Sequence, residues 1–466
     1  MFQIQDDYLN QKIKVTDLKF IEHNSIDYIY IPNLNGLFEI DANVKLILNS
    51  NGDDITHIYN SLPNKINLEE YFSLIENLRE HNLINFFQDN LTHTSKKELQ
   101  VESIKEISAL TLMMVQECNL KCTYCYAGNG EYNEKGKMSF QTAKKAVDFL
   151  MRESGMHKEV TLIFFGGEPL LNFKTIEKIV IYADEQAKLY DKTIKYSMTC
   201  NGTLMTKKIT KFIMEHNIYV QVSVDGNKEA HDYNRFYGNK SGSYETIMNK
   251  TKTLRDQKQL GVRATITPTN TDYVNIYNHL FSKNFRSVYA SPAITMFSHE
   301  EFIKLIEKFK DLLIYFEKLI QLKEYRKAKK VSNVMKHLQR LHKGYESTYS
   351  CGAEVNFFAV DINGDLYPCH RFVNNKEYKQ GNVYFDLDDK RKKKFLVEAH
   401  TSNRDNCNNC WARNLCGGGC HHENYEVSGR IGSPPLQYCV LTKLQLEEII
   451  KVYLNLTEKD KEIIFN

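Results

Sequence analysis

Eleven cysteines dominate the chemistry open to this 466-residue chain. They are Cys118, Cys122, Cys125, Cys200, Cys351, Cys369, Cys407, Cys410, Cys416, Cys420 and Cys439. The first three stand in Cys118-Asn-Leu-Lys-Cys122-Thr-Tyr-Cys125. This C-x3-C-x2-C spacing lets three thiolates of one loop close around a face of an iron–sulfur cube. Four thiolates saturate a [4Fe–4S] cluster, whereas three leave one iron able to take an external ligand, as an open zinc site takes water. A second set runs from Cys351 through Gly364-Asp-Leu-Tyr-Pro-Cys369 to Cys407-x2-Cys410-x5-Cys416-x3-Cys420 and then Cys439. Zinc is the alternative occupant. The first loop lacks a fourth local Cys or His for it, while the Cys407–Cys420 pattern suits a zinc ribbon.

The rest of the composition narrows the class. A disulfide-stapled secreted domain is small and exported. This chain is long, and its start, Met1 to Asn10, carries acids and no apolar signal core. No run of about 18 apolar residues occurs, so no membrane span is expected. A net charge of +3 argues against a general nucleic-acid binder. The basic run Lys390 to Lys394 follows Asp386, Asp388 and Asp389 and reads as a solvated loop or helix face. The expected setting is the cytoplasm.

The elements that must position the cysteines fall into four regions. Residues 1–95 carry an excess of acids and read as a separate winged-helix-like α+β unit, or a structural cap. Within it, strands flank the turn Pro32-Asn33-Leu34-Asn35-Gly36 between Ile26 and Asp41, and Ala42–Leu48 and Leu68–His81 look helical. Residues 105–298 alternate strands and helices. The strand candidates are Ser108–Met114, Val160–Phe165, Lys195–Thr199, Val220–Val224, Val262–Thr267 and Ser287–Ser291. Ser139 is the expected N-cap of the first helix, whose stripe is Ala143, Ala146, Val147, Leu150 and Met151. Six strand–helix units with right-handed crossovers predict an α/β fold, a partial (β/α)6 TIM-like barrel. Residues 299–348 are a charged helical connector. Residues 349–455 hold the cysteine-rich extension and a closing helix over Leu441–Leu454.

In barrels the chemistry follows the C-terminal ends of the strands, and unusual residues do follow them here. The cysteine loop comes after the first strand, and Gly166-Gly167-Glu168-Pro169 after the second. Asn201-Gly202-Thr203 comes after the third; Ser223-Val224-Asp225-Gly226, His231-Asp232 and Arg235 come after the fourth. In that order these motifs resemble the radical S-adenosylmethionine (SAM) superfamily. The resemblance implies a [4Fe–4S] cluster on Cys118, Cys122 and Cys125, with S-adenosylmethionine bound by Tyr124, Gly166, Gly167, Glu168, Asn201, Ser223, Asp225 and Arg235. It puts Tyr124 near the adenine, Ser223 on the ribose, Glu168 on the amino group and Arg235 on the carboxylate. The two glycines would bring backbone close to the ligand.

The C-terminal pattern resembles the SPASM extension, which implies two auxiliary [4Fe–4S] clusters and three clusters in all. By that pattern Cys407, Cys410, Cys416 and Cys439 hold the second auxiliary cluster, and Cys351, Cys369 and Cys420 the first. Fully ligated members have one more cysteine shortly before the position of Cys351; His342 to Ser350 contains none. Cys200 is expected to be no ligand. Residues 20–90 resemble the recognition element of enzymes that modify ribosomally made peptides, where a leader adds as a strand beside the hairpin. Cys125-Tyr-Ala-Gly-Asn-Gly-Glu-Tyr132 is most similar to the branch forming Cys thioether cross-links, as in sactipeptides and ranthipeptides. The implied partners are a precursor peptide with a leader and a Cys-bearing core, and a low-potential electron donor such as flavodoxin or ferredoxin. Formylglycine formation and carbon–carbon cross-linking are the alternative reactions; a zinc-binding adaptor or nucleic-acid module is the alternative class. No catalytic base is legible.

Overall fold

The structure is a computed structural model that describes residues 8–87, 106–128 and 130–466. Its centre is a nine-stranded sheet, whose strands are numbered here in chain order. These are β1 (Ala109–Val115), β2 (Glu159–Gly166), β3 (Thr193–Cys200), β4 (Tyr219–Ser223), β5 (Leu260–Ile266), β6 (Val288–Pro292), β7 (Phe357–Val360), β8 (Asp365–Tyr367) and β9 (Gly381–Asn382). The spatial order is β6-β5-β4-β3-β2-β1-β7-β8-β9. Strands β1 to β6 are all parallel, so this is the six-strand α/β barrel arrangement expected from the alternation. Each expected strand is found within two residues of its reading.

The strands form because every second side chain is apolar and has a helix to meet. Leu110, Leu112, Leu162, Phe164, Met198, Val220, Val222, Val262, Ala264, Val288 and Ala290 are fully buried in one core with the crossover helices. Each large member contributes about 2–3 kcal/mol of burial. Ser139 Oγ accepts a bond from Thr142 N (3.0 Å) and starts helix Phe140–Glu153, which buries Ala143, Ala146, Val147, Leu150 and Met151. A register shift between Met113 and Val115 marks the end of β1, just before the cysteine loop.

The sheet continues past the barrel, which the sequence did not show. Strand β7 pairs parallel to β1, Phe357 to Val360 facing Ala109 to Leu112, and β8 and β9 follow antiparallel. The cysteine-rich region is therefore stitched to the first barrel strand. Helices His299–Gln321 and Ser332–His342 lead to it, and the final long helix, Leu436–Asn455, packs on both. This helix starts five residues before its expected position. The basic run lies in helix Asp389–Ala399, capped by Asp388, but it is not wholly solvated: Lys392 is buried with its ammonium 5.5 Å from the Phe358 ring centroid.

The N-terminal unit has a three-stranded antiparallel sheet, Lys19–His23, Ile26–Ile31 and Gly36–Ile40, with helices Ala42–Asn49, Ile55–Ser61 and Leu68–Glu80. Its own core includes Ile13, Ile29, Ile47, Ile55, Tyr71, Ile75 and Ile84. The strand Lys19–His23 was not expected, because Lys-Phe-Ile-Glu-His shows no clean two-residue alternation. It lies against the final long helix, where Lys19 pairs with Glu447 at 2.7 Å. Ile21 and Tyr30 pack with Leu341, Leu415, Leu446 and Ile450. Gly36–Ile40 is the other edge, and among the described residues it pairs only with Ile26–Ile31. Among the described residues no helix is long and apolar enough to cross a membrane.

Candidate active site and cysteine groups

The loop after β1 gathers Cys118, Cys122 and Cys125. Leu120–Cys122 forms a short antiparallel pair with Arg235–Tyr237, so Arg235 is the register partner of Cys122. Burial pushes the Cys122 thiol up to about 12, with Arg235 pulling it down and Cys118 and Cys125 raising it. Cys118 is likewise raised, first by burial and then by Glu168. Its Sγ accepts from Leu120 N at 3.5 Å and from Asn201 Nδ2 at 3.8 Å.

A buried chain of polar groups links this loop to β4 and β5. Arg235 Nη1 donates to the Tyr124 hydroxyl (2.8 Å), which donates to Asp225 Oδ2 (2.6 Å); Asp225 Oδ1 accepts from Thr265 N (2.9 Å). Burial raises the Asp225 carboxyl above the usual Asp range, and Arg235 draws it back down. Among the described residues Arg235 Nε is buried without a partner, a donor available to an anionic group. His231 braces this arginine. Its Nδ1 accepts from Asp225 N (3.3 Å), so the proton sits on Nε2, which donates to Ser243 Oγ (2.9 Å); Ser243 Oγ in turn donates to the Arg235 carbonyl (2.8 Å). Burial, helped by Arg235, holds His231 neutral down to about pH 3.

Glu168 is fully buried. Its Oε1 accepts from Leu170 N (3.1 Å) and its Oε2 from Asn201 N (2.7 Å), each oxygen keeping capacity for one further donor. Burial pushes its carboxyl up to about 7 against those two bonds. The glycines before it answer first to the chain itself. Gly166 has φ +138°, and a Cβ there would lie 2.2 Å from the Val115 carbonyl oxygen; at Gly167 it would lie 2.2 Å from that of Glu117. Close approach to residues 115–117, where Gly167 N and Glu168 N donate to Val115 and Glu117, is what demands glycine here. Asn201 joins three parts: Nδ2 also reaches Asn119 Oδ1, and Oδ1 accepts from Thr203 N and Oγ1. Ser223 is the last residue of β4 and is half-buried. Cys200 ends β3 inside the apolar core, far from water, and burial raises its thiol strongly.

The C-terminal cysteines separate into two groups. Cys369, raised to about 12 by burial, also feels Cys420 and Cys351. Arg371 Nη1 lies 3.6 Å from Cys420 Sγ and pairs with Glu423 Oε1 at 2.9 Å. Its guanidinium stacks over Tyr126, 4.8 Å from the ring centroid. Tyr126 feels both Cys125 and Cys369, so it stands between the first loop and this group. Cys407, Cys410, Cys416 and Cys439 line a cavity of about 70 Å³ together with Tyr438 and Lys443. Burial raises Cys407 to about 12 and Cys439 to about 11. Gly417, Gly418 and Gly419 all have φ near +80°, a left-handed run that brings the amides of Gly418 and Gly419 to Cys416. Arg404 is buried between the two groups, donating to Ala399, Gly418 and Gly419 carbonyls. Among the described residues no three His, Cys, Asp or Glu side chains are drawn in around a single metal ion. The thiols of these groups are the soft donors that iron–sulfur clusters take.

The sequence reading missed Asn119, Ser243, Arg371 and Arg404. Their roles lie in contacts made across the fold, and no local spacing marks them.

A profile of the Radical SAM superfamily matches residues 112–273, the stretch from β1 to the helix after β5. An uncharacterized protein of Methanocaldococcus jannaschii is 32% identical over 220 residues, covering 45% of this chain and 74% of that protein. Residues 112–273 are thus a radical SAM domain. A cysteine-type anaerobic sulfatase-maturating enzyme of Clostridium novyi is 26% identical over 333 residues, 68% of this chain and 88% of that enzyme. Among solved structures, anSMEcpe with bound AdoMet and the Kp18Cys peptide superposes with a TM-score of 0.64 at 20% identity, over 75% of this chain and 99% of that one. SuiB of Streptococcus suis bound to the precursor peptide SuiA gives 0.50 at 14% identity, over 90% and 98%. At those identities the two structures show the shared fold.

Proposed function

We propose that this radical SAM enzyme modifies a ribosomally made precursor peptide and forms a Cys thioether cross-link. Cys118, Cys122 and Cys125 would hold the cluster that binds S-adenosylmethionine. Cys351, Cys369 and Cys420 would hold the first auxiliary cluster, and Cys407, Cys410, Cys416 and Cys439 the second. When bound, the reduced first cluster and S-adenosylmethionine supply a 5′-deoxyadenosyl radical able to take hydrogen from carbon. The chain's own part is orientation. Arg235 offers Nε to the methionine carboxylate, Glu168 offers its spare acceptor capacity to the amino group, and Ser223 faces the ribose. Tyr124 is held by Arg235 and Asp225 at the rim, and the barrel walls keep water from the reacting carbon.

The observation that carries the thioether reading is the three-thiol group at Cys369. Three sulfurs leave one coordination position, which a soft donor such as a substrate thiolate suits better than a hydroxyl. The N-terminal sheet supports the peptide reading. Its free edge, Gly36–Ile40, would take a leader as an added strand, while its other edge is covered by the final helix. A low-potential flavodoxin or ferredoxin would reduce the clusters in the cytoplasm, where free thiols persist.

Relatedness to sulfatase-maturating enzymes favours a second reading, oxidation of a substrate cysteine to formylglycine. Mass spectrometry of the co-expressed precursor separates them. A thioether removes two hydrogens, keeps the sulfur and hides one thiol from alkylation. Formylglycine formation loses the sulfur, and carbon–carbon linkage leaves every thiol alkylatable. On the enzyme side, a Cys peptide added without oxygen should perturb the auxiliary-cluster spectrum, and its Cys→Ser version should not.

A further inference from the structure

The barrel lumen holds a cation that the cofactor does not need. Side chains alternate along the strands, and Val262, Ala264, Val288 and Ala290 are buried on the helix side. Arg263 and Tyr289 therefore point inward, as Ser223 does. The register sets them side by side, Ser223 opposite Arg263 and Arg263 opposite Tyr289. Arg263 is exposed, with its guanidinium 5.4 Å from the Tyr289 ring centroid. Among the described residues no carboxylate pairs with it. Across the lumen stand Phe165 and His370, their rings 4.3 Å apart, and His370 adjoins Cys369. The guanidinium thus stands on the lumen wall beside Ser223 and Tyr289, facing the space a bound peptide would cross.

A planar fork of donors with no counter-ion, walled by aromatic rings and backbone, selects a carboxylate. S-adenosylmethionine brings a single carboxylate, and Arg235 already offers an orphan donor for it. We propose that Arg263 is a specificity-determining residue that receives the side-chain carboxylate of an Asp or Glu in the peptide close to the residue being modified. This rests on the peptide-modifying reading.

The test needs no knowledge of the precursor. Random dodecapeptides, each with one fixed Cys and with the C-terminus fused to its display carrier, are panned anaerobically against reconstituted holoenzyme with S-adenosylmethionine. The fusion removes the terminal carboxylate, so any acidic preference belongs to side chains. The wild type should enrich Asp and Glu over Asn and Gln near the Cys by about fivefold, the upper size of one solvent-exposed charge pair. Arg263→Met should abolish the preference, Arg263→Lys should keep part of it, and Arg263→Glu should favour Lys and Arg. All variants should keep wild-type iron content and S-adenosylmethionine affinity by equilibrium dialysis. Retained peptides without acidic bias, or the same bias in Arg263→Met, overturn the assignment while leaving the peptide reading intact. Lost cofactor binding in Arg263→Met also overturns it, by moving Arg263 into the cofactor site. If the wild type retains no peptide, the peptide reading itself falls and this inference with it.

Discussion

Replacing Arg235 separates two jobs that its geometry combines. The guanidinium neutralises buried Asp225 through Tyr124, and its Nε is left over for a ligand. Arg235→Lys keeps a positive charge beside Asp225 but cannot supply both donors. Its fold should stay within about 1 kcal/mol of wild type, while S-adenosylmethionine binding weakens. A lost charge-assisted bond is worth about 1.5–3 kcal/mol, or roughly 10- to 150-fold in Kd. Arg235→Met removes the charge as well. Breaking a buried pair of this kind costs about 3–5 kcal/mol, and that cost depends on pH. Asp225 is already raised by burial, and without Arg235 it rises further. A carboxyl whose folded pKa lies above its unfolded value of about 4 destabilises the fold increasingly as pH climbs from there to the folded pKa. The Arg235→Met deficit should therefore be largest at pH 7 and shrink toward pH 4, as Asp225 takes up its proton. Equilibrium dialysis with labelled cofactor and urea unfolding at several pH values check the two halves. Wild-type affinity in Arg235→Lys would refute the ligand role, and a pH-independent deficit in Arg235→Met would refute the Asp225 argument.

Three further outcomes follow from the same structure. Cys118→Ala/Cys122→Ala/Cys125→Ala should abolish 5′-deoxyadenosine formation while retaining about two-thirds of the iron, the share of the two auxiliary clusters proposed above; undiminished product would overturn the assignment of this loop. A chain lacking residues 1–95 should still cleave S-adenosylmethionine but process a leader-bearing peptide more slowly, and should self-associate in light scattering because Leu415, Leu446 and Ile450 lose the cover of Ile21 and Tyr30. Equal processing rates would leave the unit as a structural cap. Gly166→Ala should cost more than about 3 kcal/mol in urea unfolding, since its Cβ would strike the Val115 carbonyl in a left-handed backbone; a loss under about 1 kcal/mol would contradict the contact.

The barrel was legible because its strands carry β-branched and aromatic runs of ordinary length and each site motif follows a strand end. Strand β7 was not, since nothing local in Phe357–Val360 tells it to pair with residues nearly 250 positions earlier. Lys19–His23 was hidden by its mixed charges. Glu168 was legible as a special residue, but not its two backbone donors, which come from segments two and thirty-three residues away. Arg263 carried no sequence signal at all. An arginine inside a strand reads as a solvent-facing residue until the register shows that its side faces the lumen.

The pairing of β7 with β1 has a consequence for how the chain is made. Strand β1 leaves the ribosome early, gains β2 soon after, and keeps its outer edge bare until Phe357–Val360 emerges. That is a delay of about 240 residues, or roughly 12–50 s at 5–20 residues per second. Through that interval the nascent chain presents Ala109 to Leu112 as an unpaired apolar edge, the kind that recruits foreign strands. Chaperone demand during synthesis should thus track the time to residue 360, and a stop codon placed before β7 should yield aggregate instead of a stable half-barrel.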